Sequence, residues 1–177
     1  QQNEPAGELI FRPVPRTGDM LPAVGLGTFM TFDLVAGAER DNIAEVVRRF
    51  WEAVANADLE ALDDLLAPEF VDHSAFAGLE PGREGYKQQV AEQHAALSDV
   101  RVIIEDQVAK GDKVVTRFTW RSVHDRGEYF GLMPRDKEVE VTAMSMHRIV
   151  GDKVAEEWTE DNGSAEVAQA HLQQERL

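Results

Sequence analysis

The sequence contains no cysteine. Disulfides, thiolate nucleophiles and cysteine-ligated zinc are therefore excluded, while the redox compartment stays open. Basic residues are scarce: 18 Lys and Arg stand against 33 Asp and Glu, a formal net charge of -15. Phosphate backbones and anionic membrane surfaces need clustered Lys and Arg, so this balance argues against both as partners. No apolar run approaches the length of a membrane span. No signal-peptide pattern is visible, and with Gln1 at the start a cytoplasmic or an exported setting fits equally. Neither H-x-H nor H-E-x-x-H spacing occurs, so no motif supports a metal site. There is no internal repeat and no low-complexity run.

What is present suits one domain with an arm. A chain of 177 residues can bury a real core, and 43% hydrophobic with 29% charged residues places it in the globular class. Residues 1–40 read as an extended arm. Pro13, Pro15 and Gly18 interrupt its first apolar run, and Pro22, Gly25 and Gly27 oppose a helix in Met20 to Phe32. Gly25 and Gly27 alone do not make a dinucleotide fingerprint. The apolar residues of this arm, from Leu9 to Leu34, need a surface to cover, so the arm is expected to be ordered and packed.

From Asn42 the pattern is helical. Asn42 and Glu45 have capping-box spacing, and Ile43, Val46, Val47, Phe50, Trp51 and Val54 share one face. Asp58 begins a shorter helix that Pro68 should end, and Gly82 to Leu97 reads as a third helix, with His94 a partly buried helix residue. Near Val100 the period changes from 3.6 to 2. Val100–Val108, Lys113–His124, Glu138–Ile149 and Val154–Asp161 alternate as strands, and Ser164 should cap a short last helix, Ala165–Leu172. Helices followed by a meander of long strands predict an α+β fold with an antiparallel sheet.

The stretch Glu69 to Lys87 places Asp72-His73 at the end of a short apolar run, just before a loop from Gly78 to Gly82. Polar groups at the rim of an apolar element often line a ligand pocket. The alternative is that Asp72 caps a turn and His73 lies on the surface.

Two resemblances follow from these residues. R-P-V-P-R-T-G-D-M-L-P-A-V-G-L-G-T-F resembles the opening of an aldo/keto reductase. A (β/α)₈ barrel needs roughly 250 residues, so no reductase can be completed here and no nicotinamide cofactor is expected. A-N-A-D-L-E-A-L-D-D-L-L-A-P-E-F-V-D-H-S, P-G-R-E-G-Y-K, V-A-K-G-D-K-V-V-T-R-F-T-W-R-S-V-H and H-R-I-V-G-D-K-V-A-E-E-W, in that order, resemble the SnoaL-like polyketide cyclases, or ester cyclases, of the nuclear-transport-factor-2-like superfamily. This resemblance spans about Asn42 to Asp161. It implies a cone, a curved antiparallel sheet wrapped over three helices and enclosing an apolar pocket, usually dimeric through the sheet. It also implies ring closure by an acid acting as base, with neither metal nor cofactor.

The chain departs from that family where it matters. A His-Trp-Asp run is expected on the last strand, and Glu157-Trp158-Thr159 stands there. Threonine cannot be the base. The loop expected as Pro-Pro-Thr-Gly-Lys is Met133-Pro134-Arg135-Asp136-Lys137. The candidate catalytic set is therefore Asp72, His73, His124, Glu157 and Asp161. Trp51, Phe118, Trp120, Trp158 and Thr159 are candidate pocket residues, with core packing the alternative for the aromatics. His124 has a loop hydrogen bond as its alternative, and Glu157 an ion pair with Arg117 or Arg148. The expected partners are a small apolar carbonyl or ester compound and a second copy of the chain. A non-catalytic ligand-binding or dimerising module is the competing function.

Overall fold

The computed structural model describes residues 11–13, 20–22, 37–76 and 78–163. The chain divides into two compact units, Gln1–Leu34 and Val35–Leu177. In the first unit, β1 (Phe11–Pro13) and β2 (Met20–Pro22) pair antiparallel, with Phe11 opposite Pro22. Most of the expected arm, including its packing, lies outside the described residues, as does the helix expected over Ala165–Leu172.

The second unit starts earlier than its cap-like sequence suggests. Helix α1 covers Gly37–Asn56, so Asn42 lies inside it and not at its start. Ala38, Glu39 and Arg40 are strong helix formers and extend the helix N-terminally. Glu45 instead pairs with Arg48 at 2.9 Å. Val46, Val47, Phe50, Trp51 and Val54 are buried along one face. Ala57, at φ 52°, ends α1 in the left-handed region. The Asp58 amide donates to Ala53 O and the Ala57 amide to Val54 O, which closes the last turn. Asp58 then caps α2 (Leu59–Leu65), its carboxylate accepting from the Ala61 amide at 3.0 Å.

Helix α2 stops at Leu65, before Pro68, and the chain enters β3 (Leu66–Asp72) directly. Pro68 fits there because β3 is an edge strand with an irregular register between Leu66 and Val71. After a loop comes α3 (Arg83–Ala96), which buries Gly85, Tyr86, Val90 and Ala96. His94 is half-buried on α3, 2.9 Å from Val54 O, a helix-to-helix contact.

Four long strands follow: β4 (Leu97–Lys110), β5 (Lys113–His124), β6 (Lys137–Val150) and β7 (Lys153–Asp161). Gly111 and Gly151, at φ 60° and 65°, make the tight reversals between β4 and β5 and between β6 and β7. The sheet order is β3-β7-β6-β5-β4. The β4–β7 meander is antiparallel, but β3 runs parallel to β7, so the sheet is mixed and not wholly antiparallel. The strand after α2 reaches β7 from the same end, and this sets its direction. The core lies between the helices and the inner sheet face, with Phe50, Leu62, Leu66, Val114 and Val154 fully buried.

Candidate active site

Register builds the site. Asp72 on β3 lies opposite Glu157 on β7, and Glu157 lies opposite His147 on β6. These three form one row across three strands. The next row joins Thr159, Ser145 and Thr116. Both rows face inward, where apolar residues would ordinarily pack: Asp72, Glu157, His147, Ser145 and Thr116 are all buried. Phe50 and Trp51 wall the row from α1, with ring centroids 5.0 and 5.7 Å from His147. Tyr86 closes it from α3, packed on Phe50 and Phe70.

The polar atoms are unevenly satisfied. Asp72 Oδ1 accepts from the Ser74 amide at 2.8 Å, and Glu157 Oε1 accepts from Thr159 Oγ1 at 3.0 Å. Ser74 Oγ accepts from the Thr159 amide at 2.7 Å, tying the end of β3 to β7. His147 Nε2 lies 3.5 Å from Glu157 Oε1, beyond a good hydrogen bond. Trp51 Nε1, Ser145 Oγ, both His147 ring nitrogens and Glu157 Oε2 are buried without a protein partner. Such atoms are costly to leave unpaired, and four neighbouring residues carry five of them.

Electrostatics follow from this burial. Loss of solvent and then the nearby charge of Glu157 push the Asp72 carboxyl up to about 6, against the hydrogen bond from Ser74. Burial, then the charges of Glu157 and Asp72, hold the Tyr86 phenol well above its ordinary range. Tyr86 is therefore a fixed donor at neutral pH.

The expected site residues divide. Asp72, Glu157 and Thr159 meet on the inner face, and the buried Trp51 and Phe118 pack on each other with ring centroids 4.3 Å apart. His73 does not join them. It is the residue after Asp72 on an extended chain, so it points the other way. On the outer face it stacks on Trp158 at 4.4 Å and pairs with Glu156 at 2.9 Å. Trp158 is thus an outer-face residue, not pocket wall. Asp161 is exposed and accepts from the Gly163 amide. His124 is buried at the other end of β5. Its Nε2 lies 2.7 Å from Gly127 O, and its carbonyl accepts from the Arg135 and Asp136 amides, so it anchors the β5–β6 loop. Half-buried Trp120 donates to Ser122 Oγ. Arg148 pairs with Glu156 and Arg117 with Glu105, leaving Glu157 without an arginine partner.

His147, Ser145 and Tyr86 complete the site without having been singled out. Their signal was parity: Ser145 and His147 occupy the inward stripe with Ala143 and Ile149. Among the described residues, no group of three or more His, Asp or Glu side chains is arranged to hold a metal ion. No described helix is long and apolar enough to cross a membrane.

Comparison with known proteins identifies the family and the fold. The family model for SnoaL-like polyketide cyclase matches residues 45–170. IdmH of Streptomyces antibioticus, a candidate polyketide cyclase, is 30% identical, with 73% of this chain and 98% of that one covered at a TM-score of 0.63. A candidate SnoaL-like polyketide cyclase from Jannaschia sp. CCS1 is 19% identical, covering 76% and 95%, with a TM-score of 0.65. AclR of Streptomyces galilaeus, a candidate hydroxylase, is 22% identical, covering 70% and 90%, with a TM-score of 0.62. Among curated proteins, none matches. The chain belongs to the SnoaL-like polyketide cyclase family, and its α+β fold is the nuclear-transport-factor-2-like one.

Proposed function

We propose that the chain is an acid–base enzyme that moves a proton at a carbon next to a carbonyl in a small apolar ester or ketone. A cyclase or isomerase reaction begins there, whereas a hydrolase reaction would use the same base to activate a water for attack on the ester carbonyl. One observation carries this: two carboxyls, Asp72 and Glu157, are buried side by side with His147 nearby and, among the described residues, no Lys or Arg paired with either. Burial and then the charge of Glu157 raise the Asp72 carboxyl to about 6, which supplies an acid near neutral pH beside a second carboxyl.

The roles follow from the partners. Glu157 Oε2 is the unpaired carboxylate oxygen and serves as base, while Thr159 steadies Oε1. The enolate oxygen formed by proton removal takes hydrogen bonds from Trp51 Nε1–H and an N–H of His147, both now unpaired. Asp72, with a pKa of about 6, returns a proton to the oxygen left by ring closure or addition. Threonine at the position where a catalytic aspartate is expected thus moves the base one inward residue along β7.

The same Thr159 favours a second reading, a pocket that binds an apolar ligand without turning it over. The description of AclR as a candidate hydroxylase shows that likeness in fold leaves chemistry to the side chains. Deuterium exchange separates the two readings. β-Keto methyl esters and aryl methyl ketones in D₂O, followed by proton NMR, should exchange faster with the protein than without it. Glu157→Gln should slow that exchange roughly hundredfold. Saturable binding without exchange would establish the ligand-binding alternative. Neither binding nor exchange would remove both.

A further inference from the structure

A groove of about 560 Å³ lies apart from the carboxyl row, between α3 and the loops that carry Phe76 and Phe130. Helix α3 turns Tyr86 and Val90 into the core, whereas Gln88, Glu92 and Ala95, on another flank, line the groove. No residue of the Asp72–Glu157–His147 row borders it.

Its lining is aromatic and acidic. Phe76 and Phe130 pack edge to face at 4.9 Å, and Tyr129 and Phe130 lie 4.4 Å apart. Gln93 Nε2 donates to the Tyr129 hydroxyl at 3.3 Å and holds that ring. Glu92, which accepts from Gln88 Nε2 at 2.8 Å, and Glu128 contribute carboxylates, and among the described residues no Lys or Arg lines the groove.

Phe130 is a misfit in its own turn. Tyr129 and Leu132 exchange backbone hydrogen bonds of 2.9 and 3.0 Å, closing a two-residue reversal. Both central residues have positive φ, Phe130 at 50° and Gly131 at 75°. Such a turn favours Asn-Gly or Asp-Gly, and a bulky first residue is sterically penalised. Burial does not repay the strain, because Phe130 remains 46% exposed. Strain kept at an exposed aromatic beside a groove points to a ligand contact.

We infer that this groove binds a flat, apolar organic cation of the protonated aromatic amine class, its ring on Phe76 and Phe130 and its charge among Glu92 and Glu128. Aromatic faces and carboxylates both favour a cation, and the described lining residues offer an anion no basic side chain. This second site is independent of the proposed proton transfer.

The probe is 9-aminoacridine, compared with acridine-9-carboxylate, which has the same ring and the opposite charge. Fluorescence titration of the full chain should show saturable binding of the amine and little of the acid. Phe130→Asn installs the favoured Asn-Gly turn. Its melting temperature should hold or rise while amine affinity falls roughly three- to thirtyfold. Glu92→Gln combined with Glu128→Gln should also weaken binding. Glu157→Gln should leave it within about twofold, since Glu157 does not line the groove and sites without shared partners act additively. Absence of saturable binding, equal binding of the acid, or undiminished affinity in Phe130→Asn (diffuse attraction to the acidic surface) would each overturn the inference. So would weakened binding in Glu157→Gln, or a lower melting temperature for Phe130→Asn, which would make Phe130 a packing residue.

Discussion

Asp72 holds its proton more tightly in the fold than in the unfolded chain, about 6 against an ordinary 3.8, because burial and then Glu157 oppose its charge. Between those values the folded state binds more protons, so this contribution is full below pH 3.8 and is lost as pH rises through about 6. The effect is on the order of 3 kcal/mol. Asp63, Glu105 and Glu156 shift the other way, through hydrogen bonds with Lys87, Thr119 and His73 respectively, and favour the fold as pH rises. A difference measurement isolates Asp72. Asp72→Asn should melt above the wild type at pH 7, with the gap closing towards pH 4. A gap that does not depend on pH would refute the raised pKa. The sequence exposed part of this chemistry. Asp72, Glu157 and Thr159 were legible from strand ends and alternation. His73 was not, because adjacent strand residues cannot share a face. His147 sat on the inward stripe, but alternation alone does not say which inward residues lack partners.

Loop and helix are clamped together beside the site at Gly85. A Cβ there would lie 1.9 Å from the Glu80 carbonyl oxygen and 2.8 Å from its carbon. The next residue along, Pro81, accepts from the Asp72 amide at 2.7 Å, so the clamp also positions the end of β3. Gly85→Ala should cost about 2–3 kcal/mol, because backbone must shift, and lower the melting temperature by roughly 4–10 °C. It should reduce activity further by displacing Asp72. A variant that melts like the wild type would show that the loop yields freely. Element type was largely legible here, since β5 begins and ends where alternation places it, at Lys113 and His124. The start of α1 and the nature of β3 were not. Both depend on context, with the helix formers Ala38, Glu39 and Arg40 carrying the helix past a cap-like Asn42 and a sheet edge accommodating Pro68.

Across the whole molecule, the outer sheet face is where a second copy is proposed to bind. Val139 and Val141 follow the inward stripe, whereas Val115, Met144 and Met146 face outward with Ile103 and Val108. Val115 lies opposite Met146, and Arg117 opposite Met144, so apolar and charged residues alternate across this face. Ile103, Val108 and Met144 are 41%, 41% and 52% exposed. Arg121–Glu140 and Arg117–Glu105 pairs, at 2.9 and 3.1 Å, interleave with it. A face that mixes exposed apolar residues with both charge signs suits pairing with a second copy about a two-fold axis. Light scattering at micromolar concentration should give twice the chain mass of 19.7 kDa. Two chains of charge -15 repel each other, so association should tighten as salt screens that repulsion. Met144→Lys with Ile103→Lys should give a folded monomer. A wild-type monomer at every salt concentration would exclude the interface.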